Sequence, residues 1–220
     1  MTTPAAAHYL RVTSAQAAQQ SQEQRAADNN NAYELMLAKL YSDTQTLKGI
    51  QSQEAKTDKK RTLLPDYAPY IEGALQGSAP KDDVLMTIMV WHLDVGDFPS
   101  AVAIARHALA HNMPMPDRFQ RNAATVLAEE VADAMLARAT TGGEIAGETL
   151  VDVAALVEPQ DMPDQVRAKL YKAMGLFYEK YDPESALEVF TRAFELNKQI
   201  GVKKNIEQLQ RRIANEAAGA

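Results

Sequence analysis

The stretch DDVLMTIMVWHLDVGDFPSAVAIARHAL, residues 82–109, reads as two helices joined by a tight turn. Residues 84–93 are apolar on nearly every side, the pattern of a helix enclosed by others. Gly96, Asp97, Phe98 and Pro99 break that run. Pro99 suits the first turn of a new helix, where its missing N–H costs nothing. The second helix turns Ala101, Ile104, Ala105 and Leu109 toward a core and stops at residues 112–116, which hold two prolines. Trp91 is expected in the core. Neither half alternates every second residue, and no other segment does, so the fold class is all-α.

The same design recurs downstream. Ser100, Ala101, Ala105 and Ala108 share their spacing with Ser185, Ala186, Phe190 and Ala193, and both sets follow a turn holding Asp and Pro. Small residues at such positions let antiparallel helices approach closely. The pattern resembles a tetratricopeptide-type hairpin used twice, although any packed helical hairpin favours Ala at its crossing. Further helices are expected over residues 118–140, ending at Gly142 and Gly143, and over 148–158. One more opens at Pro163 and runs to Tyr181, the next is capped by Asp182 and Pro183, and a last one covers 202–215.

Upstream, residues 1–31 are rich in Ala, Gln, Ser and Asn and read as a flexible, partly helical N-terminal arm. Asn31 and Glu34 are spaced as a capping box. Tyr33, Leu37, Leu40, Thr44 and Leu47 then form a heptad-like seam, fit for a partner helix. Residues 51–62 are polar except for Ala55, so the long helix is expected to continue without a core of its own until Leu63, Leu64 and Pro65 end it. A short helix follows around Tyr67, Tyr70, Ile71 and Leu75; Gly77 and Pro80 break the chain, with Ser78 as a cap. Three parts result: the arm (1–31), the long helix or hairpin (32–76), and the helical-hairpin domain (77–220).

Composition limits the chemistry. The 220 residues contain no cysteine, so disulfides, thiolate catalysis and cysteine zinc sites are excluded. No apolar run is long enough for a bilayer and no signal core opens the sequence, which fits the cytosol. His107 and His111 have two-ligand spacing but lack the HExxH glutamate and a third ligand, and both suit a helix C-terminus. Asp82 with Asp83 decorates a helix start, and Glu129 with Glu130 lies mid-helix. There is no P-loop, dinucleotide turn or GxSxG. No metal, cofactor or catalytic residue is expected.

The formal net charge of −6 is a poor nucleic-acid footprint, but its distribution is uneven. Residues 1–64 carry eight Lys and Arg against six acids, residues 65–163 carry five against fifteen, and residues 164–220 carry ten against eight. Phosphate contact must therefore come from local patches at the two ends. The strongest is Lys56, Lys59, Lys60 and Arg61, helped by Lys48; Glu54 and Asp58, interleaved there, keep an ordinary solvated surface as the other reading. Lys203, Lys204, Arg211 and Arg212 form a weaker second set.

Five segments in order carry a resemblance: AHYLRV (7–12); the run 33–64 leading into KKRTLLP (59–65); residues 82–109 with WxLDxGD at 91–97; DMPDxVRAKL (161–170); and GVKKxIE (201–207). Together they are similar to the small terminase subunits of temperate, contractile-tailed phages of the P-two type. None is a catalytic signature. The resemblance implies a DNA-recognition subunit in the host bacterial cytoplasm. It would assemble as a homo-oligomeric ring on the packaging-initiation (cos) site of double-stranded phage DNA and hand that DNA to a large subunit holding ATPase and nuclease. DNA contact is then expected from Lys48, Lys56, Lys59, Lys60 and Arg61, and assembly from Tyr33, Leu37, Leu40 and Leu47. Some members carry a basic C-terminal tail, whereas this sequence closes on NEAAGA, which places the expected contact on residues 48–61 and the arm. A tetratricopeptide-like protein–protein adaptor without DNA binding is the alternative.

Overall fold

The computed structural model describes residues 3–19, 32–77 and 79–218, and these contain helices and no strand. Eleven α-helices follow in order: α1 Pro4–Gln19, α2 Ala32–Lys48, α3 Gln53–Leu63, α4 Ala68–Ala74, α5 Asp83–Val95, α6 Phe98–Ala110, α7 Ala123–Thr140, α8 Gly147–Val157, α9 Asp164–Tyr178, α10 Pro183–Leu196 and α11 Lys203–Ala218. A 3₁₀ turn, Leu64–Asp66, links α3 to α4. None of the described helices is long and apolar enough to cross a membrane. The chain divides into two compact units, Met1–Ala123 and Ala124–Ala220. The caps expected at Asn31 and Ser78 lie outside the described residues.

In the first unit α5 is buried almost all round, through Val84, Leu85, Met86, Thr87, Ile88, Met89, Trp91 and Leu93. Its start is fixed by Asp82, which accepts from the Leu85 N–H at 2.8 Å and from the Tyr70 hydroxyl. Its end is Gly96 at φ +81°, a left-handed C-cap that favours glycine. Asp97 then caps α6 by accepting from the Ser100 N–H, and Ala101, Ala105 and Ala108 are fully buried where α6 packs on α5. Trp91 is in the core as expected, edge-on to Tyr67 at 5.7 Å.

The N-terminal segment behaves differently from a free arm. Its residues 4–19 form α1, which docks on α4. The contact is close because both sides are small: a Cβ at Gly73 would fall 2.1 Å from Ser14 Oγ and 2.4 Å from the Arg11 carbonyl. Arg11 adds an ion pair to Glu72 at 2.6 Å. The expected continuous helix over residues 32–62 is in fact two helices. Gly49 and Ile50 turn the chain after α2, and the Ser52 hydroxyl caps α3 by accepting from the Ala55 N–H.

In the second unit α9 and α10 form an antiparallel hairpin, and α11 packs back on α10. Asp182 caps α10 by accepting from the Ser185 N–H at 3.1 Å, as Asp97 caps α6. Ala186, Phe190 and Ala193 are fully buried, at the same register as the α6 alanines. The counterpart of one α6 alanine is Phe190, and Gly175 makes room for it: a Cβ there would meet the Phe190 ring at 2.5 Å. Val202 and Leu209 close this core from the α11 side.

Candidate nucleic-acid interface

The basic stretch occupies α3 and the end of α2. Lys56, Lys59 and Lys60 stand at i, i+3 and i+4 and therefore share one side of α3. That side is not wholly free, because α3 leans on α5 and its end buries Leu63 and Leu64. Lys60 reaches across to Asp94 near the end of α5, an ion pair whose lysine side chain is only 17% exposed. Arg61 is exposed, pairs with Asp58 at 2.7 Å and points a second N–H at the Val95 carbonyl. Lys56 and Lys59 are half-buried and Lys48 is exposed. Among the described residues these three form no ion pair.

The five expected cations thus separate into two kinds. Lys60 and Arg61 fasten α3 to itself and to α5. Lys48, Lys56 and Lys59 carry charge that no acid among the described residues neutralises. The sequence marks Asp94 only as part of the WxLDxGD segment and not as a partner of Lys60, because the two stand 34 positions apart and nothing local marks the pair.

The expected assembly seam is rotated. α2 turns Ala32, Met36, Leu40 and Leu47 inward, with Leu40 4% and Leu47 7% exposed. In this conformation those two leucines belong to the chain's own core. Tyr33 and Leu37 are half-buried at one edge of the line. Burial pushes the Tyr33 phenol up to about 12, with Asp83 and Asp82 adding to the effect. At the other edge Lys39 bridges Asp43 at 2.7 Å and Asp66 at 3.4 Å. The Tyr67 hydroxyl donates to Asp43, and burial first, then that bond, raises its pKa. The outer face of α2 leaves Leu35 54% and Tyr41 68% exposed.

Other charged groups are structural. The rings of His107 and His111 lie 4.3 Å apart, and His111 Nδ1 sits 2.9 Å from the His107 carbonyl. Burial, then the neighbouring imidazole, lowers the His107 pKa. His92 contacts Asp97 at 2.9 Å at the α5–α6 turn, and burial lowers its pKa against the pull of that carboxylate. Among the described residues no group of three or more His, Asp or Glu is placed to hold a metal ion. Glu129 and Asp133 converge instead on Lys169, at 3.8 and 2.9 Å.

The sequence profile of the family described as phage small terminase subunit matches residues 37–165. The chain is 42% identical over 215 residues to a protein of Escherichia phage P2 named terminase, endonuclease subunit, covering 97% of this chain and 86% of that one. It is 25% identical over 209 residues to a protein of Haemophilus phage HP1 named probable terminase, endonuclease subunit, covering 88% of this chain and 74% of that one. No solved structure matches it.

Proposed function

Because the chain belongs to the phage small terminase subunit family, with a role in phage packaging, we propose that it is the DNA-recognising subunit of a packaging terminase. On this reading it assembles as a homo-oligomeric ring in the host cytoplasm. The ring binds double-stranded phage DNA at the packaging-initiation (cos) site and delivers it to the large subunit. The observation that carries the reading is the charge left unpaired, among the described residues, on Lys48, Lys56 and Lys59, in a chain whose middle, residues 65–163, is strongly acidic. An acidic body repels DNA over most of its surface, so approach is confined to such patches. Lysines of this kind grip phosphates and position the protein; they do not read bases. One copy offers few charges, and a ring multiplies them.

Subunit contact falls to the side of α2 left uncovered around Tyr41, with Leu37 one turn before it; Leu35 is exposed on the other flank of the helix. Leu40 and Leu47 support that face from within. The relatives' names include an endonuclease; we assign ATP hydrolysis to the large subunit, since this sequence holds no nucleotide-binding loop, and cutting with it, since no group of three or more His, Asp or Glu among the described residues is placed to hold a metal ion.

Two measurements test this. The wild-type chain should have an oligomeric mass at micromolar concentration and bind duplex DNA with an affinity that falls steeply with salt, by about 0.9 in log–log slope per phosphate contact. A monomer with no salt-dependent DNA binding would favour the adaptor reading, which draws on the two Asp-capped hairpins α5–α6 and α9–α10. Separately, the purified chain with Mg²⁺ should leave duplex DNA uncut. Metal-dependent cutting that a change at Asp82 or Glu130 abolishes would return catalysis to this subunit.

A further inference from the structure

The second unit gathers a lysine cluster that the sequence only half displays. Residues 196–206 contain Lys198, Lys203 and Lys204 and no acid. The fold brings in a fourth: Lys172 of α9 donates to the Ile200 carbonyl at 2.9 Å, in the loop between α10 and α11. Gly201, at φ +79°, turns that loop so that Lys198 and Lys203 converge on one ring. Their ammonium groups lie 4.3 and 5.3 Å from the centroid of Phe194, which is itself anchored on the core of this unit. Among the described residues none of the four lysines forms an ion pair. Acids close by are engaged elsewhere or unpaired with the cluster: Glu195 pairs with Arg192 at 2.9 Å, the Glu179 carboxylate accepts from the Asn205 amide at 3.3 and 3.4 Å, and Glu207, a turn further along α11, pairs with none of the four.

Lys198 and Lys203 are held by the Phe194 ring and Lys172 by the Ile200 carbonyl, so their charges are positioned without being neutralised. Lys203 and Lys204 also open α11, where the helix dipole disfavours cations. The fold thus presents several cations with no acid among the described residues paired to them, an arrangement that an anion complements. The groups offered are ammonium point charges on long stems from three separate elements, with no arginine in the loop to fork a carboxylate. That chemistry suits the repeated phosphates of a nucleic-acid backbone better than a folded acidic partner.

We propose that the loop at residues 197–204, with Lys172, is a second phosphate-binding surface that grips the backbone of duplex DNA. It rests on the reading of this chain as a DNA-binding subunit and adds a contact in the unit that lacks α3.

The test uses the full chain with Lys198→Ala, Lys203→Ala and Lys204→Ala combined, all three being exposed, and random and cognate duplexes titrated over a range of salt. The salt slope should become shallower by about 1 to 3, with weaker binding to both duplexes. Helicity and oligomeric mass should be unchanged. The corresponding triple arginine variant should keep the wild-type slope. An unchanged slope in the alanine variant, while Lys48→Ala/Lys56→Ala/Lys59→Ala loses binding, overturns the second site and leaves the first reading standing. Wild-type chain that binds no duplex overturns both. Loss of large-subunit binding at an unaltered DNA slope assigns the loop to an acidic protein surface and also overturns the proposal.

Discussion

Changing Leu40 and Leu47 together to Asp is expected to unfold the first unit, not simply to separate subunits. Both side chains are buried, at 4% and 7% exposure, on the line that α2 turns inward with Met36. Each exchange forfeits about 1.5–3 kcal/mol of apolar burial. It also asks a carboxylate to sit where nothing pairs with it, a further cost of several kcal/mol unless the group takes up a proton. Two such changes match or exceed the whole stability of an ordinary domain, about 5–15 kcal/mol. Circular dichroism should show lost helix and no cooperative transition at the wild-type midpoint. Leu35→Asp with Tyr41→Asp is the contrast. Both residues are more than half exposed, so chain stability should move by only about 0.5 kcal/mol while the oligomeric mass falls. A Leu40, Leu47 double variant that melts like wild type would contradict the packing of α2. An outer-face variant of unchanged mass would move the subunit contact elsewhere.

This contrast shows what the sequence could and could not convey. The period of the α2 seam was readable and its phase was not. Leu37 and Met36 are adjacent and equally apolar, and only the position of α1 and α5 decides which turns inward. α5 and α6 were legible because their signals are local and agree: an unbroken apolar run, a glycine cap, an Asp that caps and a proline in the first turn. α1 was hidden for the opposite reason. It docks through Ser14 and its alanine-rich surface against Gly73, so it needs no large apolar residues, and its partner stands about sixty positions away. The break between α2 and α3 had its markers in Gly49 and Ser52, but a polar stretch beyond them looked like continuing helix. The basic patch was visible as composition, while the division of its members by Asp94 and Asp58 required the fold.

That division determines how the DNA prediction must be made. Lys60 and Arg61 are poor probes of DNA contact, because removing either also removes an internal bond. Without Lys60, Asp94 loses its partner across the α3–α5 contact, and weaker DNA binding could then reflect a displaced helix. Lys48, Lys56 and Lys59 have no such duty. Their combined change to Ala should leave thermal stability within about 0.5 kcal/mol, since surface substitutions away from packed features seldom do more. Its effect on DNA should be large. Three lost phosphate contacts make the salt slope shallower by about 2.7 for each chain that engages the duplex. The relation is logarithmic, so affinity at physiological salt should drop by about a hundredfold or more. A ring amplifies the loss, because each weakened arm lowers the avidity of the rest. Backbone contacts carry no sequence information, so cognate and random duplexes should weaken together and their ratio should hold. Unchanged affinity and slope would remove α3 from the interface. A selective loss for cognate DNA would show that these lysines reach base edges, and the contact would be one of specificity.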